Sequence, residues 1–317
     1  MERLYELIGM ESPKEQINKQ IARSAIQAKA SKLGVQTEDF CNHMAFLGNP
    51  GSGKTELARC LADIYFGLEI TKTPEFTEVR RENLVQQYIG HTEAATKKIL
   101  DKVIKTGGIL FIDEFHQLAE KGDTGNDFGL KAIQTLVPYL ENNRRDFVCI
   151  VAGYPDKMRY TLTLDEGLAG RFSTFIEFPD YSVDELIKIF IFFCKKNHRY
   201  LTDTATILEK GDCHKILDGI ENQQILNTLK TGLNNLIREF ENIGNARAMR
   251  KLFEKAEIHQ ALRMYNSCYK NGALTICDRD FLKKYSFFEI EDIEAALAQL
   301  KEELEQIEGK KSIRIGF

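Results

Sequence analysis

Residues 43–66 read HMAFLGNPGSGKTELARCLADIYF, in which an apolar run, a glycine-rich loop and a helical pattern follow one another directly. The apolar run over 43–47 predicts a buried strand, and apolar residues at helical spacing predict a helix over 55–66. The loop between them matches G-x-x-x-x-G-K-[ST] at every defined position. Since this motif requires a strand before it and a helix after it, the context favours a phosphate-binding loop over a glycine-rich turn with an incidental lysine.

The residue types of this loop suit a nucleoside triphosphate and its magnesium ion. Glycines allow backbone N–H groups to surround the phosphates, and the following helix directs the positive end of its dipole at the anion. Lys54 would neutralise the β- and γ-phosphates, and the hydroxyl of Thr55 would ligate magnesium. The predicted nucleotide-binding residues are Gly48, Asn49, Pro50, Gly51, Ser52, Gly53, Lys54, Thr55 and Glu56.

A second motif, ILFIDE at residues 109–114, predicts a pair of functional carboxylates. Four apolar residues form a buried strand that delivers Asp113 and Glu114 to the carboxyl edge of the sheet, where ligands of α/β folds bind. We expect Asp113 to hold magnesium through its water shell, and Glu114 to accept the proton of the water that attacks the γ-phosphate. An apolar strand that ends in Asp-Glu is common by itself. Downstream of Lys54 it is specific, and the two motifs together predict hydrolysis rather than binding alone.

The order of strand and helix patterns predicts the fold class. Fully apolar strands alternate with helices in the first part of the chain, which is typical of a parallel sheet with helices on both faces in the α/β class. The predicted strands cover 43–47, 76–79, 109–112, 147–152 and 174–178, and the helices among them cover 13–32, 55–66, 92–105 and 127–142. After Pro179 only helical patterns remain, over 183–197, 222–241, 246–264 and 289–306. We therefore expect a nucleotide-binding domain over 1–180 and an all-helical domain with a C-terminal helical extension over 181–317.

Composition and charge argue against several classes of protein. The chain carries 43 Lys and Arg residues against 47 Asp and Glu, a net charge of -4, and its basic residues occur as scattered pairs. This balance disfavours nucleic acid or a membrane surface as a partner. The longest apolar run, 189–194, is too short to span a bilayer, and the mixed charges of the N-terminus do not form a signal sequence. The seven cysteines include no CxxC pair, so we expect reduced thiols in a cytoplasmic protein.

Over nearly its whole length the chain resembles the AAA+ ATPases, and within them the group of CbbX and stage V sporulation protein K. The segments that carry this resemblance are LIGM at 7–10, the two motifs above, LVQQYIGHTE at 84–93, VAGYPDKM at 151–158, GLAGRFSTFIEFPDYS at 167–182 and GNARAMRKLFEKA at 244–256. The resemblance implies an AAA+ P-loop NTPase fold whose second domain is a helical lid. It also implies ATP and Mg2+ as nucleotide and metal.

Two arginines gain a role from this resemblance. Arg171 looks like the arginine finger of the family, which reaches the γ-phosphate bound by the next subunit of a ring. Arg247 lies in a segment similar to the sensor 2 motif, whose arginine contacts the nucleotide of its own subunit from the lid. Without the flanking motifs, either arginine would be interpreted as a solvated charge or a salt-bridge partner.

One position departs from the family pattern. Many AAA+ chains place asparagine, threonine or serine at the end of the strand that follows the Asp-Glu motif, where the side chain positions the attacking water. Here the sequence has Tyr154. The alternatives are that the Tyr154 hydroxyl serves from a longer stem, that Asp156 supplies the polar contact, or that this contact is absent.

Tyr88, Ile89 and Gly90 form an apolar step among polar residues, and no period of 2 or 3.6 would carry the first two into a core together. The structural alternative is that this step ends a strand or a helix, and that both side chains pack beneath a neighbouring element. In the family, this step looks like the pore loop that grips a polypeptide. Tyr88 would supply a large contact surface that tolerates many sequences, and Gly90 would permit the tight loop.

The predicted function is that of an ATP-hydrolysing, chaperone-like remodelling motor, a hexameric ring that acts on a protein substrate through its central pore. Relatives act on inhibited Rubisco, in sporulation and in secretion, and no residue distinguishes among these. One alternative is a DNA-directed AAA+ protein of the helicase-loader or branch-migration type, which the missing basic clusters disfavour. Another is a nucleotide-gated scaffold with little turnover, which Glu114 and Arg171 disfavour.

Overall fold

The computed structural model describes residues 2–35, 41–86, 91–120, 128–201, 222–270, 273–274 and 285–315. The chain divides into two compact units, Met1–Asp180 and Tyr181–Phe317. None of the helices in these described ranges is long and apolar enough to cross a membrane.

The first unit contains a sheet of five parallel strands, which confirms the predicted α/β fold. The strands are β1 Met44–Gly48, β2 Phe76–Val79, β3 Ile109–Ile112, β4 Val148–Gly153 and β5 Thr174–Phe178. Their order across the sheet is β2-β3-β4-β1-β5. The predicted strands agree with these bounds to within one residue at each end.

The three central strands β1, β3 and β4 are buried along their whole length. A strand that is covered on both faces must be apolar at every position rather than at alternate ones, which explains the continuous apolar runs. The edge strands β2 and β5 are only partly buried. Ala45 and Val151 on the sheet share one core cluster with Leu100, Leu136 and Met158 from the covering helices.

Seven helices of the described ranges cover this sheet or lie beside it. They are α1 Glu2–Glu6, α2 Glu11–Lys32, α3 Lys54–Gly67, α4 Arg81–Leu84, α5 His91–Thr106, α6 Phe128–Asn142 and α7 Pro155–Leu162. Two 3-10 turns, Phe115–Ala119 and Ala169–Arg171, follow β3 and precede β5. The helix predicted over 13–32 begins earlier, at Glu11. Pro13 is its third residue, where a missing N–H group leaves no intrahelical bond unmade.

The strand order decides where the site can form. β3, β4 and β1 are consecutive neighbours, with Leu47 opposite Gly153 and Ile112 opposite Val151. Because all three run in the same direction, the segments that follow them leave the sheet side by side at its carboxyl edge. The phosphate-binding loop, the carboxylate pair and Tyr154 are those three segments.

The second unit is almost entirely helical. Its described helices are α8 Val183–Lys196, α9 Gln223–Glu239, α10 Asn245–Cys268 and α11 Ile290–Ile315. A short antiparallel pair, β6 Tyr269–Lys270 with β7 Ala273–Leu274, departs from the predicted all-helical composition. The rings of Phe190, Phe253 and Phe288 pack in sequence in its core, at centroid distances of 6.5 and 5.9 Å.

Candidate active site

The loop between β1 and α3 has the backbone that its glycines predict. Gly51 and Gly53 adopt φ values of 75° and 92°, in the left-handed region that disfavours side chains. Gly48 is needed for a different reason, since a Cβ there would lie 2.7 Å from the backbone oxygen of Phe178 and 2.9 Å from Ser52 Oγ. The loop therefore closes tightly against β5 before α3 begins at Lys54.

The ammonium of Lys54 is buried in this loop. Its Nζ donates to the backbone oxygens of Gly48 at 2.8 Å and Asn49 at 2.7 Å. Ser52 Oγ donates to the oxygen of Asn49 at 2.8 Å, so the loop is curled around the lysine. Thr55 is half-buried in the first turn of α3, whereas Glu56 is exposed there. A buried ammonium at a helix N-terminus fits the phosphates of a nucleotide, and the oxygens of Thr55 and Asp113 are of the kind that magnesium takes as ligands.

Asn49 anchors the loop to the end of the unit. Its Nδ2 lies 3.1 Å from Oδ1 and 2.9 Å from Oδ2 of Asp180. The loop motif leaves this position undefined, so no motif predicts the contact. Pro50, the next loop residue, is half-buried.

Asp113 and Glu114 follow β3, as predicted. Asp113 is buried, donates its N–H to the oxygen of Val79 at 2.9 Å, and accepts the N–H of Glu114 on its Oδ1 at 3.0 Å. Its Oδ2 lies 3.5 Å from Nη2 of Arg80, which follows β2. Glu114 has a φ of 51°, a left-handed value that is uncommon for a residue with a side chain. Such a backbone persists only where its surroundings hold it, and these positions concentrate at functional sites.

His116 is a member of this site that the sequence did not indicate. Its Nε2 lies 3.3 Å from Oε2 of Glu114. Burial, followed by the charge of Lys157, holds the pKa of His116 below its usual value, and the charges of Asp113 and Lys54 also act on it. The imidazole therefore lies close to both predicted motifs, the phosphate-binding loop with Lys54 and the carboxylate pair with Asp113. The only signal in the sequence was a histidine two residues after the predicted base.

Tyr154 caps α7 directly after β4, beside the carboxylates. Its ring meets the ring of His116 edge to face, with 5.0 Å between centroids and 75° between planes. The ammonium of Lys157 lies 5.4 Å from the centroid of the tyrosine ring. The carboxylate of Asp156 is exposed and pairs with Nη1 of Arg159 at 3.0 Å. The ring of Tyr154 thus contacts the site by packing against His116.

Arg171 lies apart from these residues. It ends the 3-10 turn that precedes β5, and its Nη1 is 2.7 Å from Oε2 of Glu141. Since β5 runs parallel to β1, with Thr174 opposite Met44, Arg171 lies at the amino edge of the sheet. The phosphate-binding loop leaves β1 at the carboxyl edge.

The remaining predicted residues are placed only in part. Arg247 lies in the first turn of α10 in the second unit, with an exposed side chain. Tyr88, Ile89 and Gly90 lie outside the described residues. Next to them, Gln86 N donates to Thr92 Oγ1 at 3.0 Å, and this hydroxyl donates to the oxygen of Gln86 at 3.1 Å.

Two family descriptions match this chain. The description "ATPase family associated with various cellular activities (AAA)" covers residues 44–180, and the AAA lid domain covers residues 182–303. Together they span both units.

Several relatives are similar to this chain over most of their length. A chloroplastic ribulose bisphosphate carboxylase/oxygenase activase of Cyanidioschyzon merolae is 34% identical over 288 residues, which is 89% of this chain and 89% of that protein. Stage V sporulation protein K of Bacillus subtilis is 34% identical over 276 residues, with 86% and 79% covered. Protein CbbX of Cereibacter sphaeroides is 34% identical over 265 residues, with 83% and 77% covered.

Among solved structures, a RuvB mutant of Thermotoga maritima has a similar fold. Its TM-score is 0.57 at 16% sequence identity, with 95% of this chain and 73% of that chain covered. At this identity the similarity concerns the fold alone.

Proposed function

This chain belongs to the AAA ATPase family, and we propose that it is a chaperone-like remodelling motor, a ring of its own copies that pulls a protein substrate through a central pore. The enzyme hydrolyses ATP to ADP and phosphate with Mg2+ as cofactor, as the family does. The ring, its six expected subunits and the pore are the proposed part. The observation that carries the proposal is the position of Arg171, at the sheet edge opposite to the phosphate-binding loop.

Within one subunit, the residues at the carboxyl edge have different roles in the reaction. We assign Lys54 and the loop N–H groups to the phosphates, and Thr55 and Asp113 to the magnesium ion. Bound there, magnesium would neutralise negative charge on the phosphates during the attack of water on the γ-phosphate. Glu114 takes a proton from the attacking water. The oxygen of that water forms a bond to the γ-phosphorus, and the bond between the γ-phosphorus and the β-phosphate oxygen breaks. Arg247 is assigned to the nucleotide of its own subunit.

Arg171 lies at the wrong end of the sheet to serve its own loop. Five residues of extended strand span about 16 Å, which exceeds the reach of an arginine side chain. An arginine at the amino edge can instead serve a loop in an adjacent copy. Such an arrangement makes hydrolysis depend on assembly, as expected for a ring.

The substrate is proposed to be a protein. The relatives include an activase of a carboxylase and a sporulation protein, and no residue of the site selects between such targets. We assign Tyr88, Ile89 and Gly90 to the pore, where the tyrosine ring would grip polypeptide of varied sequence. We also propose a cytoplasmic location, which the seven cysteines without a CxxC pair favour, because their spacing is typical of reduced thiols.

Assembly is tested with Glu114→Gln, which keeps the shape of the side chain and removes its basicity. We expect this variant to bind ATP and lose about 10²- to 10⁴-fold in turnover. In saturating ATP and Mg2+ it should sediment as a closed oligomer of about six subunits, whereas Lys54→Ala should not. A Glu114→Gln protein that stays monomeric under these conditions would contradict the ring.

The pore is tested by capture of protein from a cell extract on Glu114→Gln rings. Adding Tyr88→Ala should preserve the oligomer but abolish capture, and Tyr88→Phe should retain it, since gripping uses the ring more than the hydroxyl. Equal capture by both double variants contradicts a pore role for Tyr88. If Tyr88 is instead a core residue, Tyr88→Ala should cost about 3 to 5 kcal/mol of stability.

The alternative of a DNA-directed protein is tested by measuring binding to a short DNA duplex at low salt.

A further inference from the structure

His116 is the side chain of the site that neither motif explains. It lies in the 3-10 turn after Glu114, and its side chain is only 2% exposed. The distance from its Nε2 to Glu114 Oε2, 3.3 Å, is slightly longer than an ordinary N–H···O bond. Catalytic hydrogen bonds are often long in the free enzyme and shorten when the reacting groups are in place.

The surroundings of the imidazole select one tautomer. Burial keeps the pKa of His116 low, so the ring is neutral near pH 7 and carries a single N–H group. Nε2 faces a carboxylate oxygen, which can only accept a hydrogen bond. Nδ1 is buried without a hydrogen-bond partner among the described residues, and a bare nitrogen there costs less than an unpaired N–H. The proton therefore belongs on Nε2, which can donate it to the Glu114 oxygen 3.3 Å away.

The imidazole is also fixed in place. Tyr154 packs against its ring edge to face. On the side of β4 there is no space, because a Cβ at position 153 would lie 2.6 Å from His116 Nδ1. The strand end and the tyrosine ring together prevent the imidazole from turning away from Glu114. A buried imidazole whose rotation is restricted in this way is suited to hold another group in one orientation.

We propose that His116 is a positioning residue for ATP hydrolysis, whose Nε2–H holds the Glu114 carboxylate in the orientation from which it takes the proton of the attacking water. The inference rests on the proposed role of Glu114 as general base. The imidazole keeps its own proton throughout, since the proton of the water moves to the carboxylate. Tyr154 contributes by packing His116 in place.

The test compares two substitutions of His116. His116→Phe keeps a flat ring against Tyr154 and Gly153 but removes the N–H donor, whereas His116→Gln retains an amide N–H donor. We expect His116→Phe to lower kcat about 10- to 100-fold, as small displacements of catalytic groups do, while KM for ATP stays unchanged. His116→Gln should recover most of that loss. Melting temperatures of both variants show whether the fold is intact.

Combining variants separates this inference from the role of Glu114. With Glu114→Gln in place, adding His116→Phe should lower turnover no further, because both changes act on one proton transfer. If Glu114→Gln loses turnover but His116→Phe keeps the wild-type kcat, the positioning role is wrong and the general base stands. If Glu114→Gln itself retains turnover, the general base is wrong. Independent, multiplicative losses would also overturn the positioning role.

Discussion

Arg171 and Glu141 form an ion pair in which Nη1 lies 2.7 Å from Oε2. The other oxygen of the same carboxylate, Oε1, lies 2.7 Å from Nη2 of Arg144. The two arginine side chains are equally accessible, 33% and 34% exposed. One carboxylate at the end of α6 thus holds two similar guanidinium groups, of which only Arg171 lies in the segment that predicts an arginine finger. Arg144 is therefore its matched control.

Arg171→Ala should leave the affinity for ATP near that of the wild type, because the side chain lies far from the loop of its own subunit. Turnover should fall about 10³-fold or more, which is the usual contribution of an arginine finger. Arg144→Ala should keep turnover near the wild-type rate. Phosphate release at saturating ATP, together with binding of a fluorescent nucleotide, measures both quantities.

A mixing experiment determines whether Arg171 acts between subunits. Lys54→Ala subunits keep their arginine but cannot hold nucleotide, whereas Arg171→Ala subunits have the opposite defect. Mixed rings contain interfaces in which an intact arginine meets an intact loop, so the mixture should exceed the summed activities of the two variants. An inactive mixture would contradict action between subunits, and wild-type turnover by Arg171→Ala alone would remove Arg171 from the mechanism.

Gly48→Ala should destabilise the first unit and weaken nucleotide binding. The new methyl group would lie 2.7 Å from both the Cβ and the backbone oxygen of Phe178, so β5 or the loop must move. Overpacking of this kind costs about 1 to 3 kcal/mol. Gly67→Ala is the control, because a Cβ there meets nothing within 4 Å at the end of α3. Urea unfolding and nucleotide titrations should show the loss in Gly48→Ala alone.

Asp292→Ala should destabilise the second unit. The carboxylate is 2% exposed and accepts two bonds from Arg263, at 2.9 Å from Nε and 2.8 Å from Nη2. The substitution also removes the acceptor for the N–H of Glu289, 3.0 Å from Asp292 Oδ2. Because Arg263 is 25% exposed and keeps its pair with Glu289, its charge stays compensated, and we expect a loss of about 1 to 3 kcal/mol. The exposed pair of Lys230 and Asp184, at 3.0 Å, provides the comparison. Lys230→Ala should change the stability by about 0.5 kcal/mol or less in thermal unfolding.

The sequence predicted the sheet and both motifs because each depends on local information. A continuous apolar run identifies a buried strand, and the loop and carboxylate motifs are contiguous in the chain. Parallel strand order then brings the loop and the carboxylates together without further information. The helix over 289–306 was predicted too short, since α11 continues to Ile315 in spite of Gly309, a residue that disfavours helix.

Contacts between distant segments could not be predicted in this way. The pairs of Arg171 with Glu141 and of Asn49 with Asp180 join positions that no period relates. The contact between His116 and Glu114 is close in sequence, but it depends on a left-handed backbone at Glu114 that no residue type there predicts. These contacts depend on the assembled sheet, so only a three-dimensional structure reveals them.

His43 couples the stability of the first unit to pH. It is fully buried before β1, where Nδ1 accepts the N–H of Cys149 at 3.0 Å and Nε2 lies 3.2 Å from the oxygen of Leu140. Since the first contact requires a bare Nδ1, the proton lies on Nε2 and donates to Leu140. A second proton would set two N–H groups against each other at Nδ1. Burial accordingly lowers the pKa of His43 to about 4.

Because this pKa is lower in the folded than in the unfolded chain, the unfolded chain binds the proton first as the pH falls. The contribution of His43 to stability is complete above its unfolded pKa of about 6.5 and is lost as the pH falls towards 4, by about 3 kcal/mol in all. His43→Gln should lower stability at neutral pH but remove this part of the acid dependence. His91→Gln, a change at an exposed histidine, should leave it as in the wild type. Urea unfolding at about pH 7 and about pH 4.5 measures the difference, and an equal loss on acidification in His43→Gln and the wild type would show that His43 does not control it.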